Sequence, residues 1–75
     1  MTLNLGKINR TYKIQQSNLP RNIEKRLEAL GMTLGSTVDI LNSKNKGTLI
    51  IKVRGTRFAI GKGISKKISV KEMKE

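Results

Sequence analysis

The stretch from Lys25 to Leu41, KRLEALGMTLGSTVDIL, places two glycines four residues apart. Gly31 ends a helical apolar stripe and Gly35 precedes an alternating one. This punctuation constrains the fold more than any other feature of the chain. Upstream, Ile23, Leu27 and Leu30 recur at i, i+4 and i+7, one narrow apolar face of a helix. Proline is tolerated in a first helical turn, so the helix is expected from Pro20 to Leu30. Gly31 suits the left-handed residue that ends many helices, because it has no Cβ to clash. Met32 would then fold back onto the last turn. TLGS reads as a type II turn with Leu34 and Gly35 at its centre. The two glycines thus turn a helix axis into a strand within five residues, a structural corner with no catalysis implied.

Around this corner the side chains divide by environment. Leu27 and Leu30 are expected in the core. Met32 and Leu34 have two readings, core or exposed apolar anchor, and the capping contact favours the core for both. Arg21/Glu24 and Lys25/Glu28 are i,i+3 pairs on the wet face, each worth about 0.2–0.5 kcal/mol. Arg26 flanks the stripe, with its stem on apolar surface and its head in water.

The rest of the chain reads as short strands. Tyr12 and Ile14 alternate after a bend at Gly6, QQSNLP reads as a polar loop, and Val38 and Ile40 alternate after the corner. NSKNKG reads as a loop. Leu49, Ile51 and Val53 then alternate against Ile50, Lys52 and Arg54. RFAI puts Phe58 and Ile60 on one face, and the two segments form a hairpin around Gly55. GISKK is expected to form a single helical or 3₁₀ turn, with a closing strand through Ile68 and Val70. Five or six short strands and one helix predict a mainly β fold, a small closed or nearly closed β-barrel that hides its strand edges. One domain over residues 1–75 is the expectation.

Composition removes several classes of function. The chain has no Cys and no His, which excludes disulfides, a usual zinc site and the common nucleophile–base pairs. No two carboxylates pair for acid–base work, so the protein is read as a non-enzyme. Asp39, Glu24 and Glu28 are scattered, leaving only weak Fe²⁺ contact through isolated carboxylates, with no intrinsic metal site and no cofactor. GKGIS has the look of a phosphate loop, but the spacing fails: Gly63 stands where Ser or Thr should follow Lys62. No apolar run approaches the roughly 18–20 residues of a membrane span, and MTLNLGKINR lacks a secretory apolar block, so a cytoplasmic protein is expected.

Formal charge is +11, and it is uneven. Residues 1–43 carry six basic and three acidic side chains, and residues 44–75 carry ten and two. Such a field favours anionic partners: nucleic acid, an acidic protein face or an anionic lipid surface. Lys52, Arg54 and Arg57 on the hairpin, with Lys62, Lys66 and Lys67 beyond, could contact phosphates. Single-strand binding usually also needs stacking platforms, and only Tyr12 and Phe58 are aromatic.

The corner resembles the signature of the FeoA family, ferrous iron transport protein A. Arg26, Leu27, Leu30, Gly31, Met32, Gly35, Val38 and Ile40 match its pattern. A second block, IIKVRGTRFAIGKGISKKISV, matches at Arg54, Gly55, Phe58, Ala59, Ile60, Ile68 and Val70. The resemblance implies an SH3-like barrel and an accessory role in bacterial ferrous iron uptake beside the GTPase-permease FeoB. At family level it also implies association with transition metal ions. On that reading Arg21, Lys25, Arg26, Met32, Leu34, Lys52, Arg54 and Arg57 are the candidate partner-binding residues. Leu27, Leu30, Gly31, Gly35, Val38 and Gly55 form the structural motif. The alternative is an SH3-like nucleic-acid-binding domain of ribosomal or regulator type that uses the same basic surface.

Overall fold

Strand alternation decides which side chains meet. The computed structural model describes residues 1–73. A 3₁₀ turn at Leu3–Leu5 leads to β1 (Thr11–Ser17), α1 (Arg21–Ala29) and β2 (Thr37–Ser43). A second 3₁₀ turn at Asn45–Gly47 is followed by β3 (Leu49–Val53), β4 (Thr56–Ile60), the short α2 (Lys62–Ser65) and β5 (Ile68–Glu72). The strands form one antiparallel sheet in the order β4-β3-β2-β1-β5. Its concave face buries the residues that alternation predicts: Tyr12 and Ile14, Val38 and Ile40, Leu49, Ile51 and Val53, and Ile68 and Val70. Their removal from water is the main force holding so small a sheet together.

The hairpin follows the expected chemistry. Val53 lies opposite Thr56, and only Arg54 and Gly55 intervene. Both have positive φ, 50° and 83°, the two-residue turn whose twist matches paired strands. Phe58 faces inward opposite Ile51 and packs on the core, half-buried because β4 is the last strand of the sheet.

Two expected loops are partly strand. Gln15, Gln16 and Ser17 extend β1, where Gln16 and Ser17 pair with Ser69 and Ile68 of β5. Asn42 and Ser43 likewise extend β2 against β3. Polar side chains on the outer face do not oppose a strand when the backbone has a partner. GISKK forms its helical turn, with the Lys66 N–H donating to the Lys62 carbonyl at 3.0 Å.

Closure is partial. β4 and β5 do not pair, so the five-stranded sheet stays open and is not a sealed barrel. The N-terminal residues cover the free side of β5: the Val70 N–H donates to the Met1 carbonyl at 2.8 Å, and Thr2 bridges Ser69. Behind them Leu3 is completely buried. The chain then crosses beneath the core at Gly6, where any Cβ would overlap the Cδ1 of Ile40 and stand 3.0 Å from the Tyr12 ring. The Tyr12 hydroxyl accepts the Lys7 N–H at 2.8 Å, which satisfies the one polar atom of this buried ring.

This close crossing generates a coupled prediction. Gly6→Ala is expected to cost about 1–3 kcal/mol in urea unfolding, because the site is already full. Ile40→Val removes the overlapping methyl and by itself costs about 0.5–1.5 kcal/mol. The double variant should lose less than the sum of the two; strict additivity would contradict contact between Gly6 and the Ile40 methyl.

Candidate functional site

The site begins at the end of α1. The Gly31 N–H donates to the Glu28 carbonyl and the Met32 N–H to the Leu27 carbonyl, both at 2.9 Å. This is the paired Schellman pattern, and it requires the left-handed φ of +96° that Gly31 adopts. The reversal drives Met32 into the core, where it is 6% exposed beside Leu27. It also corrects Leu30. The i, i+4, i+7 spacing puts that residue in the core, but α1 ends at Ala29 and Leu30 turns outward as the cap, 39% exposed. Met32 takes the place under the helix that Leu30 would have filled.

The second turn follows directly. The Ser36 N–H donates to the Thr33 carbonyl at 3.0 Å, with Gly35 at φ +84°. Leu34 occupies the outer corner of this turn and is 67% exposed, against its expected core position. The turn points that side chain outward, so of the two apolar candidates Met32 is core and Leu34 is surface.

The basic candidates fall into separate groups. Arg54 reaches the corner: its Cβ, Cγ and Cδ lie within 3.5 Å of where a Cβ on Gly31 would stand. Its stem covers the bare glycine, so the hairpin tip and the helix end meet. Lys52 and Arg57 face each other across β3 and β4 on the convex side of the sheet, and Asp39 lies opposite Lys52 on β2. Asp39 accepts the Thr11 hydroxyl at 2.6 Å. The resulting row alternates in charge only as far as Lys52, and Arg57 ends it. Arg21, at the start of α1, pairs with Glu24 at 3.2 Å. Lys25 and Arg26 are exposed on α1, and the second expected pair, Lys25 with Glu28, does not form an ion pair among the described residues.

Sequence reasoning missed a groove of about 230 Å³ between α1 and the sheet. Its floor is Ile14, Leu27, Met32 and Ile68, and its lip includes Leu34. Glu24 spans one mouth, accepting the Ser17 hydroxyl at 2.8 Å as well as pairing with Arg21. Leu19, immediately before Pro20, also lines it and was the available signal: an apolar residue inside what reads as a polar loop. Among the described residues, no three His, Cys, Asp or Glu side chains come together as a metal cluster.

The open sheet, its one long helix and this apolar groove define a small SH3-like domain. The family model of the FeoA domain matches residues 1–72, and the chain belongs to that family. A solved iron uptake regulatory protein, FeoA, is 30% identical with a TM-score of 0.87, the alignment covering 97% of each chain. FeoA of Stenotrophomonas maltophilia, solved with zinc and described as a prokaryotic SH3 domain protein, is 28% identical with a TM-score of 0.78, covering 95% of this chain and 89% of that one. A candidate Fe(2+) transport protein A of Methanocaldococcus jannaschii is 35% identical over 48 residues, 64% of this chain and 57% of that protein's length. The chain spans little more than half the length of that curated relative.

The two apolar corner residues should respond differently to truncation. Met32→Ala is expected to cost about 2–5 kcal/mol in urea unfolding, as a buried side chain lost from a full core. Leu34→Ser should stay within about 0.5 kcal/mol of the parent, as an exposed substitution does. Comparable losses for both would place Leu34 in the core after all.

Proposed function

We propose that this protein is a non-enzymatic accessory of ferrous iron uptake that docks on the cytoplasmic part of the GTPase-permease FeoB. The observation that carries the reading is Leu34, an exposed apolar side chain on the lip of a groove with a hydrophobic floor. Apolar anchors set among charges are a recurring design of protein contacts. Arg21, Lys25 and Arg26 beside the groove, and Lys52, Arg54 and Arg57 on the hairpin, would draw the domain to an acidic partner face. Rim charges of this kind act mainly on association rate and salt dependence. The protein would work at the inner face of the membrane without crossing it; no helix among the described residues is long and apolar enough to span one. Without imidazole or thiolate it would carry no resident metal, the iron being the cargo of its partner.

Capture, association kinetics, gel shift and calorimetry test this reading. Immobilised soluble permease domain should capture the protein, and Leu34→Ser should weaken capture about tenfold. Paired Lys52→Gln and Arg57→Gln substitutions should slow association and flatten its salt dependence, with little change in dissociation. A protein that ignores the permease yet shifts RNA or duplex DNA at near-physiological salt would favour the nucleic-acid alternative. In anaerobic calorimetry, Fe²⁺ should give no stoichiometric, saturable heat with this protein alone; tight binding would remove the no-metal part of the reading.

A further inference from the structure

Between Asp39 and Glu72 the chain has nine basic residues and no acidic one. The fold gathers four of them. The Lys62 side chain lies over Gly47, with its Cβ and Cδ 3.1 Å from where a Cβ on that glycine would stand. This seats the turn carrying Lys44 and Lys46 against α2. Lys66 follows Lys62 by one helical turn, on the same side of α2. All four lysines are exposed, and none is in an ion pair among the described residues. The described carboxylates are held elsewhere: Asp39 by Thr11, Glu72 by Arg10, Glu24 by Ser17 and Arg21, and Glu28 on the groove.

An apolar group adjoins this cluster. The 3₁₀ turn Leu3–Leu5 packs against α2, and Leu5 at its end is 64% exposed. A lysine cluster alone would attract any polyanion. Lysines on and around α2, with an exposed leucine on the turn packed against that helix, match the boundary of an anionic bilayer, where ammonium groups meet headgroup phosphates and an apolar side chain enters the acyl edge. Nucleic acid fits less well. Tyr12 is buried and Phe58 faces the core, so no aromatic side chain offers a stacking platform. The cluster also holds no arginine, the residue suited to bidentate phosphate contacts.

We propose that Lys44, Lys46, Lys62 and Lys66, with Leu5, form a docking surface for an anionic lipid bilayer. None of these residues lines the α1 groove, so the surface goes beyond the permease contact and leaves that groove free. Each lysine contributes about a fivefold increase in partitioning onto an anionic surface.

The experiment is co-sedimentation with protein-free vesicles, about one third phosphatidylglycerol in phosphatidylcholine, against phosphatidylcholine alone. The parent should bind only the anionic vesicles. The combined Lys46→Gln, Lys62→Gln and Lys66→Gln variant should lose about 100-fold in partitioning. Leu5→Ser should lose severalfold while keeping its full charge. Combined Lys25→Gln and Arg57→Gln, equally exposed but outside the cluster, should stay within about twofold, since surface attraction fades within a Debye length. Thermal melting of each variant checks that it is folded. Equal loss from the distant pair, no loss from the triple or Leu5 variants, or tighter binding to duplex DNA at the same salt would overturn the proposal. The vesicles hold no permease, so failure here leaves the permease reading standing, and failed capture by the permease leaves this one standing.

Discussion

The reversal at Gly31 is the constraint on which the other features depend. Two hydrogen bonds close the helix and send the chain back beneath it. That single change of direction buries Met32 and leaves Leu34 at the outer turn. It also aims residues 37–43 into the sheet as β2. The same glycine leaves bare backbone over which the Arg54 stem can lie. A residue with a Cβ at this point would be strained by its positive φ and would press on Arg54. The position is therefore doubly specified, by conformation and by space, and helix, corner and hairpin tip behave as one unit.

The surface is organised by charge without drawing much stability from it. The two ion pairs among the described residues are exposed or half-exposed, and such pairs contribute about 0–1 kcal/mol each. Stability comes from the concave face of the sheet and from Leu3, the plug that the N-terminal residues carry under it. This division leaves the outside free for recognition. The groove beside α1 mixes an apolar floor with both signs of charge at its rim. The lysine end has one sign and a lone leucine. Surfaces so unlike suit partners of different chemistry.

Much of the fold was legible in the residues because local rules and tertiary packing agreed. Alternation at Leu49, Ile51 and Val53 is visible in six residues and is what a half-buried strand requires. Gly31, Gly35 and Gly55 declared their turns through conformations that few other residues adopt. The FeoA signature at the corner was readable for the same reason, since its glycines and leucines encode that bend. Less was legible where backbone pairing overrode side-chain character. Gln15, Gln16 and Ser17 read as loop but pair with β5. Leu30 continued the apolar stripe in sequence, yet the helix stopped one residue short and Met32 displaced it.

The sequence by itself determined the corner, the hairpin, the core alternation and the absence of imidazole and thiol chemistry. These depend on residue type and on spacing within a few positions, which a linear reading contains. Tertiary structure alone decided the open edge of β4, the strap that covers β5, the groove beneath α1 and the seating of Lys62 over Gly47. Each of these joins segments distant along the chain. Such contacts follow from how a twisted sheet curves and which backbone groups it leaves unpaired, and no local pattern of residues records that curvature.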